Sequence, residues 1–430
     1  MNAKIDISNV RLESPRLLLR SFCDSDLDDF FEYASYPGVG EMAGWPHHET
    51  KAITRLVLDD FIKSKNQFAI VYKPNNKVIG SIGIEHYNED IYSLVNHLNG
   101  RELGYVISFD YWNKGIATEA SNLVIDYLFN ELQLDFVTVS HFVTNDRSRS
   151  VIMKCGFAYF TTKDYIDRAG YDSKKQAIYY IKRNTKYKLE VCCGSYEDAI
   201  NAYLGGASRI ELNSALYLGG LTPTTKTLEL IKKKTNLEVV SMVRPRATGF
   251  CYTPYEMEEL FYNAMGLLEA GSDGLAFGFL NSDGSIDKKN TKKMVDLIHM
   301  FKREAVFHRA IDVSNDYLNN IGILADLGVD RVLTSGCRSQ APNGVELIKK
   351  AEELYGKRIT ILAGSGINIT NAEALLDEAN IYEIHSSCKD YLYDNTSKYG
   401  DVSYDYYADS KYEHVDETKV RSLANLILVK

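Results

Sequence analysis

The strongest constraint on the fold is a regular alternation of short apolar stretches and longer helical patterns that begins at residue 188. The predicted strands are "KLEVCC", "RIELN", "EVVSMVRP", "GLAFGFL", "AVFHRAID", "RVLTSG", "ITILAGSG" and "YEIHSS". Helical patterns such as "YEDAINAYLGG" and "GVELIKKAEELYG" separate most of them. Eight strand–helix units in about 240 residues predict a closed (β/α)8 TIM barrel.

The first part of the chain has a different order of elements and predicts a separate domain. Strands are expected over "RLLLR", "FAIVYK", "VIGSIGIEHY", "ELGYVISF" and "FVTVSHFV", helices over "ITRLVLDDFIKS" and "SRSVIMKCG", and a hairpin at the end. This order predicts an α+β domain with a mostly antiparallel sheet. The polar stretch "IKRNTKYK" marks the change, so we place the two domains at residues 1–185 and 186–430.

Composition excludes some classes of function. The formal net charge of -9 argues against general binding to nucleic acid or to an anionic membrane. The start of the chain mixes charged and apolar residues, so we expect no signal peptide, and no later apolar run is long enough to span a bilayer. The 7 cysteines include no CxxC pair, and we expect them to remain thiols in a cytoplasmic protein.

The stretch "YWNKGIATEA" places Gly115 between a strand and an amphipathic helix. The backbone amides expected to converge there belong to Asn113, Lys114, Gly115, Ile116, Ala117 and Thr118. Such a helix start suits a phosphate, and Lys114 adds positive charge, although many helix starts of this kind bind nothing. Further on, "TNDRSRSVIMKCGF" carries Asn145 and Ser148 just before another apolar helix.

Together these stretches resemble the GCN5-related N-acetyltransferases (GNAT), in particular the branch of the ribosomal-protein alanine and serine N-acetyltransferases. The resemblance covers most of residues 8–183 and includes "SPRLLLRSF", "WNKGIATEA" and "NDRSRSVIMKCGF". It implies acetyl-CoA as cofactor, with its pyrophosphate at the Gly115 loop, Asn145 and Ser148 nearby, and amides near Val106 on the thioester carbonyl. Trp112 stands where the pattern usually has Gln or Arg.

Acetyl transfer to an amine needs a base that removes the ammonium proton before the amine attacks the thioester. Glu102 is our candidate base, with Glu85 and His86 as rivals, and each is also compatible with a solvated strand-edge position. The position that often holds a proton-donating tyrosine in the family is Ile152 here. Ser148 or a water must then protonate the departing thiolate. The acceptor is expected to be a small-molecule or peptide amine.

Charged residues are predicted to point into the barrel, because residues two apart share a face of a strand. The candidates on these inward faces are Glu190 and Cys192, Glu211 and Asn213, Met242, Arg244 and Arg246, and His308 and Asp312. Buried charges are costly unless they are paired, so they indicate either an active site at the strand ends or a buried ion-pair lattice that fixes the barrel.

The charged residues at the strand ends favour a small anionic ligand. Arg244 and Arg246 offer forked donors to it, and the turns "AGSG" and "HSS" offer amides near Gly364, Gly366 and Ser386 to a phosphate. Glu190, Glu211, His308 and Asp312 are the candidate catalytic residues of the barrel. His308 would move a proton near neutral pH, with Asp312 or Glu211 orienting it.

The barrel half resembles the CutC family, named for a proposed role in copper homeostasis. The resemblance runs from about Leu189 to the C-terminus and includes "LEVC", "GGASRIELN", "VRPRATGFCY", "FHRAID", "LAGSGI" and "EIHSS". Copper(I) would require thiolates, and the cysteines expected near the mouth are Cys192, Cys251, Cys337 and Cys388. Asn213 replaces a cysteine that the family often carries, and adjacent Cys192 and Cys193 alternate faces. Cys192 is therefore the single candidate metal ligand, and we favour the anion over copper.

The sequence thus predicts a bifunctional cytoplasmic protein that joins an N-acetyltransferase to a CutC-like barrel. The alternative is a copper-binding barrel with an accessory or acetyl-CoA-sensing first domain. A homodimer formed through the barrel is left open, and neither nucleic acid nor membrane is an expected partner.

Overall fold

The computed structural model describes residues 1–164, 176–404 and 410–430. The chain separates into two compact units, Met1–Thr185 and Lys186–Lys430. Each unit has its own sheet and its own buried apolar residues.

The first unit is built on a sheet of eight strands. In chain order these are β1 (Leu12–Glu13), β2 (Leu17–Ser21), β3 (Gln67–Tyr72), β4 (Lys77–Glu85), β5 (Gly100–Ile107), β6 (Phe136–Phe142), β7 (Ala158–Asp164) and β8 (Gln176–Arg183). The helices are α1 (Leu27–Ala34), α2 (Lys51–Ser64), α3 (Ile116–Asn130) and α4 (Asp146–Lys154). The strand order is β1-β2-β3-β4-β5-β6-β8-β7, and only the β5–β6 pair is parallel, which confirms the predicted α+β fold with a mostly antiparallel sheet.

Strands β5 and β6 separate partway along their length. They pair from Gly100 to Leu103 on β5 and from Phe136 to Val139 on β6. Beyond that point β5 continues beside β4, and β6 continues beside β8. The two strands therefore diverge and leave backbone groups along the opening that their sheet partner no longer satisfies.

Helix α3 follows this opening because its sequence has an apolar face. The residues of that face recur every four positions and are buried against the sheet: Ile116, Ala120, Val124 and Leu128. The opposite side of the sheet packs on α1 and α2 through a second apolar cluster that includes Phe30 and Leu58. Cores on both faces hold β5 in place while its end diverges from β6.

The second unit is a closed barrel of eight parallel strands, as predicted. They are β9 (Lys188–Cys193), β10 (Arg209–Leu212), β11 (Glu238–Met242), β12 (Gly274–Phe277), β13 (Glu304–Phe307), β14 (Arg331–Thr334), β15 (Thr360–Gly364) and β16 (Glu383–Ser386). The surrounding helices are α5 (Tyr196–Gly205), α6 (Thr225–Lys234), α7 (Pro254–Glu269), α8 (Lys288–Met300), α9 (Tyr317–Leu327), α10 (Val345–Tyr355) and α11 (Ala372–Ala379). Strand β16 pairs with β9 and closes the ring.

The barrel interior has two chemically different sides. On β11, β12 and β13 an apolar cluster fills it: Val240, Met242, Ala276 and Val306. Buried charged residues occupy the side formed by β14, β16, β9 and β10. The carboxyl ends of the strands form the mouth of the barrel, which is where such barrels place their sites.

Elements that we did not predict from the sequence follow the last barrel strand. They are β17 (Lys389–Tyr393), β18 (Lys398–Tyr399), β19 (Val402–Ser403), β20 (Lys411–Val415) and α12 (Glu417–Val429). Helix α12 packs on α5, and a Cβ atom at Gly205 would lie 2.5 Å from Val420. The absence of a side chain at Gly205 therefore allows this close approach.

No helix in the described ranges has the length and apolar character needed to cross a bilayer.

Candidate functional site

A cleft of about 770 Å³ opens in the first unit where β5 and β6 diverge. Its walls come from both strands, from the loop before α3 and from the start of α4. The predicted residues that line it are Glu85, Glu102, Val106, Asn113, Gly115, Ile116, Ala117, Thr118, Asn145 and Ser148. Lys114 adjoins this lining, whereas His86 is not part of it. The cleft thus brings together most residues that the sequence assigned to cofactor binding.

The backbone at the start of α3 has the geometry of an anion-binding site. Asn113 and Gly115 have positive φ angles of 58° and 76°, which turn the chain sharply into the helix. Among the described residues no side chain caps this helix, so the amides of residues 116–118 are available to a ligand in the cleft. Arg16 donates a 3.0 Å hydrogen bond to the carbonyl of Lys114 and pairs with Glu119, which holds the loop in place.

Trp112 explains why this loop departs from the usual family pattern. Its indole N–H donates a 2.7 Å hydrogen bond to the carbonyl of Ile107 at the end of β5. The guanidinium of Arg147 lies 4.0 Å from the centre of the Trp112 ring. Trp112 therefore fixes the loop to the strand and positions a cation beside the helix start.

A tyrosine that sequence reasoning missed lies in the cleft. The hydroxyl groups of Tyr105 and Ser148 are 2.8 Å apart, and the Asn145 side chain accepts the Ser148 amide at 3.1 Å as the cap of α4. Burial raises the pKa of Tyr105, so its hydroxyl stays protonated. Ile152, at the position where the family often has a tyrosine, is an apolar core residue. A tyrosine in an apolar strand gives no signal of its own, and only the fold shows that Tyr105 faces Ser148.

Carboxylates gather at the other end of the cleft. Glu102 on β5 lies opposite Glu85 on β4, and Ser140 donates a 2.9 Å hydrogen bond to Glu102. Gln67 and Asn66 donate hydrogen bonds to Glu85. Asp90 also lines this end. The cleft is therefore basic near the start of α3 and acidic where Glu85, at the end of β4, lies opposite Glu102.

In the second unit, a buried ion-pair lattice crosses the charged side of the barrel. Arg209 is fully buried and lies 2.5 Å from both Glu190 and Glu383. Arg331 reaches Glu383 at 2.9 Å. Burial by itself would raise the pKa of Glu190, but Arg209 and His385 outweigh it and hold the pKa well below its usual range. Glu190, predicted as catalytic, is thus a permanently charged member of the lattice.

Above the lattice, three potential metal-binding side chains meet at the mouth. They are Cys192, Glu211 and His385, whose ligand atoms all lie within 4.8 Å of one another. Asn213 donates hydrogen bonds to Glu211 at 2.9 Å and to the Cys192 sulfur at 3.5 Å. His385, which the sequence analysis did not single out, stands two residues after Glu383 and shares its inward face.

Arg244 and His308 form a second polar group at the mouth. Arg244 donates to the carbonyls of residues 218, 219, 220 and 248, and its guanidinium has no carboxylate within ion-pair distance among the described residues. Phe250 lies between the two side chains, 5.0 Å from the His308 ring and 5.2 Å from the Arg244 guanidinium. Four buried atoms in this area have no hydrogen-bond partner among the described residues: Arg244 Nε, His308 Nε2, Tyr252 OH and Asn213 Oδ1.

The surroundings of His308 do not favour the predicted role of a proton carrier near neutral pH. Burial and the nearby Arg244 charge lower the pKa of His308 to about 3. The amide of Ala310 donates a 3.2 Å hydrogen bond to Nδ1, so Nε2 carries the hydrogen of the neutral ring. Within the described residues Asp312 instead accepts hydrogen bonds from Thr334, Ser335 and Arg309, and Glu211 is bonded to Asn213. Neither carboxylate orients His308.

Arg246 and the two turns already have partners within the domain. Arg246 pairs with Glu256 on α7, which occupies its forked donors, so it does not point into the barrel as predicted. Gly364 ends β15, and Gly366 accepts a hydrogen bond from Asn371 at 2.9 Å. Ser386 donates to the carbonyl of Ile367 at 2.8 Å and ties the loops after β15 and β16 together.

Comparison with known proteins decides the family of the second unit. Residues 187–390 match the model of the CutC family. A CutC family protein of Treponema denticola is 48% identical over 198 residues, which cover 46% of this chain and 80% of that protein. The chain belongs to the CutC family. The human copper homeostasis protein cutC homolog is 38% identical to the CutC domain over 203 residues, 47% of this chain and 74% of that protein.

The first unit matches a different family model. Residues 16–158 match the acetyltransferase (GNAT) domain, so the chain is the predicted fusion of a GNAT domain with a CutC domain. A GNAT family acetyltransferase from Bacillus anthracis is 23% identical, with a TM-score of 0.36 over 40% of this chain and 98% of that chain. A CutC structure from Streptococcus agalactiae is 26% identical, with a TM-score of 0.45 over 47% of this chain and 98% of that chain.

The CutC mouth does not fit copper(I) well. Copper(I) favours thiolates, and the group of potential ligands contains one, Cys192. The other cysteines that the sequence suggested lie elsewhere: Cys251 is exposed, Cys337 donates its amide to Asp312, and Cys388 is bonded to Ser386. Cys193 is buried and contacts the carbonyl of Val191. The donor set is mixed in nitrogen, oxygen and sulfur.

We expect His308 to remain neutral across physiological pH. Its resonance in the folded protein, assigned by its loss in His308→Asn, should not shift between pH 5 and 8, whereas the unfolded chain should titrate near 6.5. Because the folded pKa is depressed, this residue's contribution to stability is present above about pH 6.5 and is lost as pH falls toward 3. An inflection between pH 5 and 8 in the folded protein would contradict the assignment.

Proposed function

We propose that the GNAT domain is an acetyl-CoA-dependent N-acetyltransferase that acts on a small-molecule or peptide amine. The observation that carries this proposal is the polarity of the cleft, which joins an uncapped helix start and basic side chains to a carboxylate-rich end. Phosphates suit the first end, and a protonated amine suits the second. The diverging strands between them expose backbone groups to the thioester.

Each step is assigned to residues of this chain. Acetyl-CoA would supply an activated acetyl thioester. The amides of residues 116–118 and the charge of Lys114 would hold its pyrophosphate. Amides of β5 near Val106 polarise the thioester carbonyl. Glu102, directly or through a water, takes the proton of the acceptor ammonium so that the neutral amine attacks. The thiolate that leaves receives a proton from Tyr105 through Ser148.

Replacing Gly115 with glutamate should abolish cofactor binding. The new carboxylate would stand at the helix start, repel the pyrophosphate and strain a backbone that has φ of 76°. We expect at least about a tenfold loss of acetyl-CoA affinity by calorimetry, which is about 1.4 kcal/mol. Gly271→Glu is the control, because Gly271 has φ of 97° but lies in the barrel. Unchanged affinity in a folded Gly115→Glu protein would refute the binding site.

Removing the Tyr105 hydroxyl should slow the chemical step. We expect Tyr105→Phe to lower kcat by about 10- to 100-fold with little change in the KM for acetyl-CoA, because only thiolate protonation is lost. Tyr87→Phe is the matched control: its side chain is buried, its hydroxyl donates a 3.1 Å hydrogen bond to Asn96, and it does not line the cleft. Equal losses of kcat in both variants would show that Tyr105 has a structural role only.

We further propose that the CutC domain binds a small anionic metabolite at its mouth. The supporting observation is Arg244, a buried cation that donates to four backbone carbonyls and has no carboxylate within ion-pair distance among the described residues. A buried charge without a counterion is costly, and an anionic ligand would supply the missing one. Arg244 Nε and His308 Nε2–H offer two donors to the same ligand, so His308 serves as a hydrogen-bond donor.

The ligand should stabilise the protein in a way that depends on Arg244. A library of phosphorylated and carboxylated metabolites, screened by thermal shift, should give a hit that Arg244→Gln abolishes and Arg244→Lys weakens. Arg246→Gln is the control, because that guanidinium is already paired with Glu256, and it should retain the shift. Equal loss of the shift in the Arg244 and Arg246 variants, or no hit for the unmodified protein, would argue against the proposal.

A further inference from the structure

The group formed by Cys192, Glu211 and His385 has the composition of a metal site. Its sulfur, oxygen and nitrogen atoms lie within 4.8 Å of one another at the barrel mouth. In a tetrahedral zinc site the ligand atoms lie about 3.3–3.8 Å from one another, so only a small shift of these side chains is needed to close on an ion. The three side chains come from β9, β10 and β16, which are adjacent in the closed sheet, so the barrel itself holds them together.

Glu190 orients the histidine of this group. Its carboxylate lies 2.7 Å from His385 Nδ1 and is itself fixed by Arg209 at 2.5 Å. With Nδ1 engaged, Nε2 is the ring nitrogen that remains for a metal. A carboxylate that holds the second nitrogen of a ligating histidine is the usual outer support of protein metal sites. Asn213 supports the other two residues through its bonds to Glu211 and Cys192.

Glu211 is a buried carboxylate, and His385 of the same group is the cation that acts on it most strongly. Glu211 is 4% exposed, and within the described parts of the chain no arginine, lysine or histidine nitrogen lies within ion-pair distance of it. Glu190 and Glu383 have Arg209 as their partner, so the lattice below does not neutralise Glu211. Because His385 is already engaged by Glu190, a bound divalent cation would compensate the Glu211 charge more fully. Cys192 is partly exposed, which gives the site a route from the mouth.

We propose that the CutC domain binds a borderline divalent cation of the Zn²⁺ class through Cys192, Glu211 and His385. One thiolate, one imidazole and one carboxylate form a donor set that such ions accept, whereas copper(I) favours several soft ligands. Three protein ligands leave a fourth position open to water or to a bound molecule, as in catalytic zinc sites. This site is independent of the anion site at Arg244, which uses different residues.

The test begins with full-length protein stripped of metal by a chelator and titrated with Zn²⁺ and with Co²⁺. We expect one ion per chain, and the cobalt form should show the absorption of a thiolate-to-cobalt charge transfer. Cys192→Ser should remove that absorption and weaken Zn²⁺ binding by at least about 100-fold, and Glu211→Gln should weaken it as well. Cys193→Ser is the matched control, because this neighbouring thiol contacts the Val191 carbonyl and should leave binding unchanged.

Three results would overturn the proposal. The first is a cobalt form of the unmodified protein without thiolate charge transfer, which needs no variant to interpret. The second is Zn²⁺ binding that survives in both Cys192→Ser and Glu211→Gln, which would place the ion elsewhere. The third is stoichiometric copper(I), measured against a competing copper(I) chelator, in a protein that binds neither Zn²⁺ nor Co²⁺.

Discussion

The barrel depends on one buried guanidinium. Arg209 on β10 is fully buried and reaches Glu190 on β9 and Glu383 on β16, so it spans the seam where the last strand of the ring meets the first. Removal of Arg209 would break both of these ion pairs, and breaking one buried pair typically costs about 3–5 kcal/mol. Because each partner lies on a different strand, the lattice also favours one register of closure over a shifted one.

Once the lattice has balanced its own charges, Arg244 has no carboxylate within ion-pair distance among the described residues. Glu211 relies on His385, which Glu190 also engages. An anion would suit Arg244, and a divalent cation would compensate Glu211 more fully. Asn213 connects the two groups. Its amide donates to Glu211, and its oxygen packs so closely on Gly220 that a Cβ atom there would be 2.3 Å away. The carbonyl of Gly220 in turn accepts a hydrogen bond from Arg244. The stability of the domain and its ligand preferences are therefore linked, because ligands complete a charge balance that the fold leaves open.

The sequence predicted the fold well because periodicity reports burial directly. Both domains and the closed barrel followed from it, whereas the strands and helix after β16 did not, since their apolar pattern is weak. Inward-facing positions within strands, such as Glu190 and Glu211, could be predicted from alternation. Arg246 and Asp312 could not, because they follow their strands, where alternation no longer applies and local partners decide. The Tyr105–Ser148 contact joins residues 43 positions apart and required the fold.

The divergence of β5 and β6 has a mechanical consequence. The strands β5 and β6 pair from Gly100 to Leu103 and no longer pair beyond it, so a wedge-shaped gap opens between the two halves of the sheet. A ligand arm that lies in the wedge and bonds to both strands acts as a substitute strand and closes the gap. Amides on both strands should then exchange with solvent more slowly when the cofactor is bound, and its departure leaves the sheet with two interior edges.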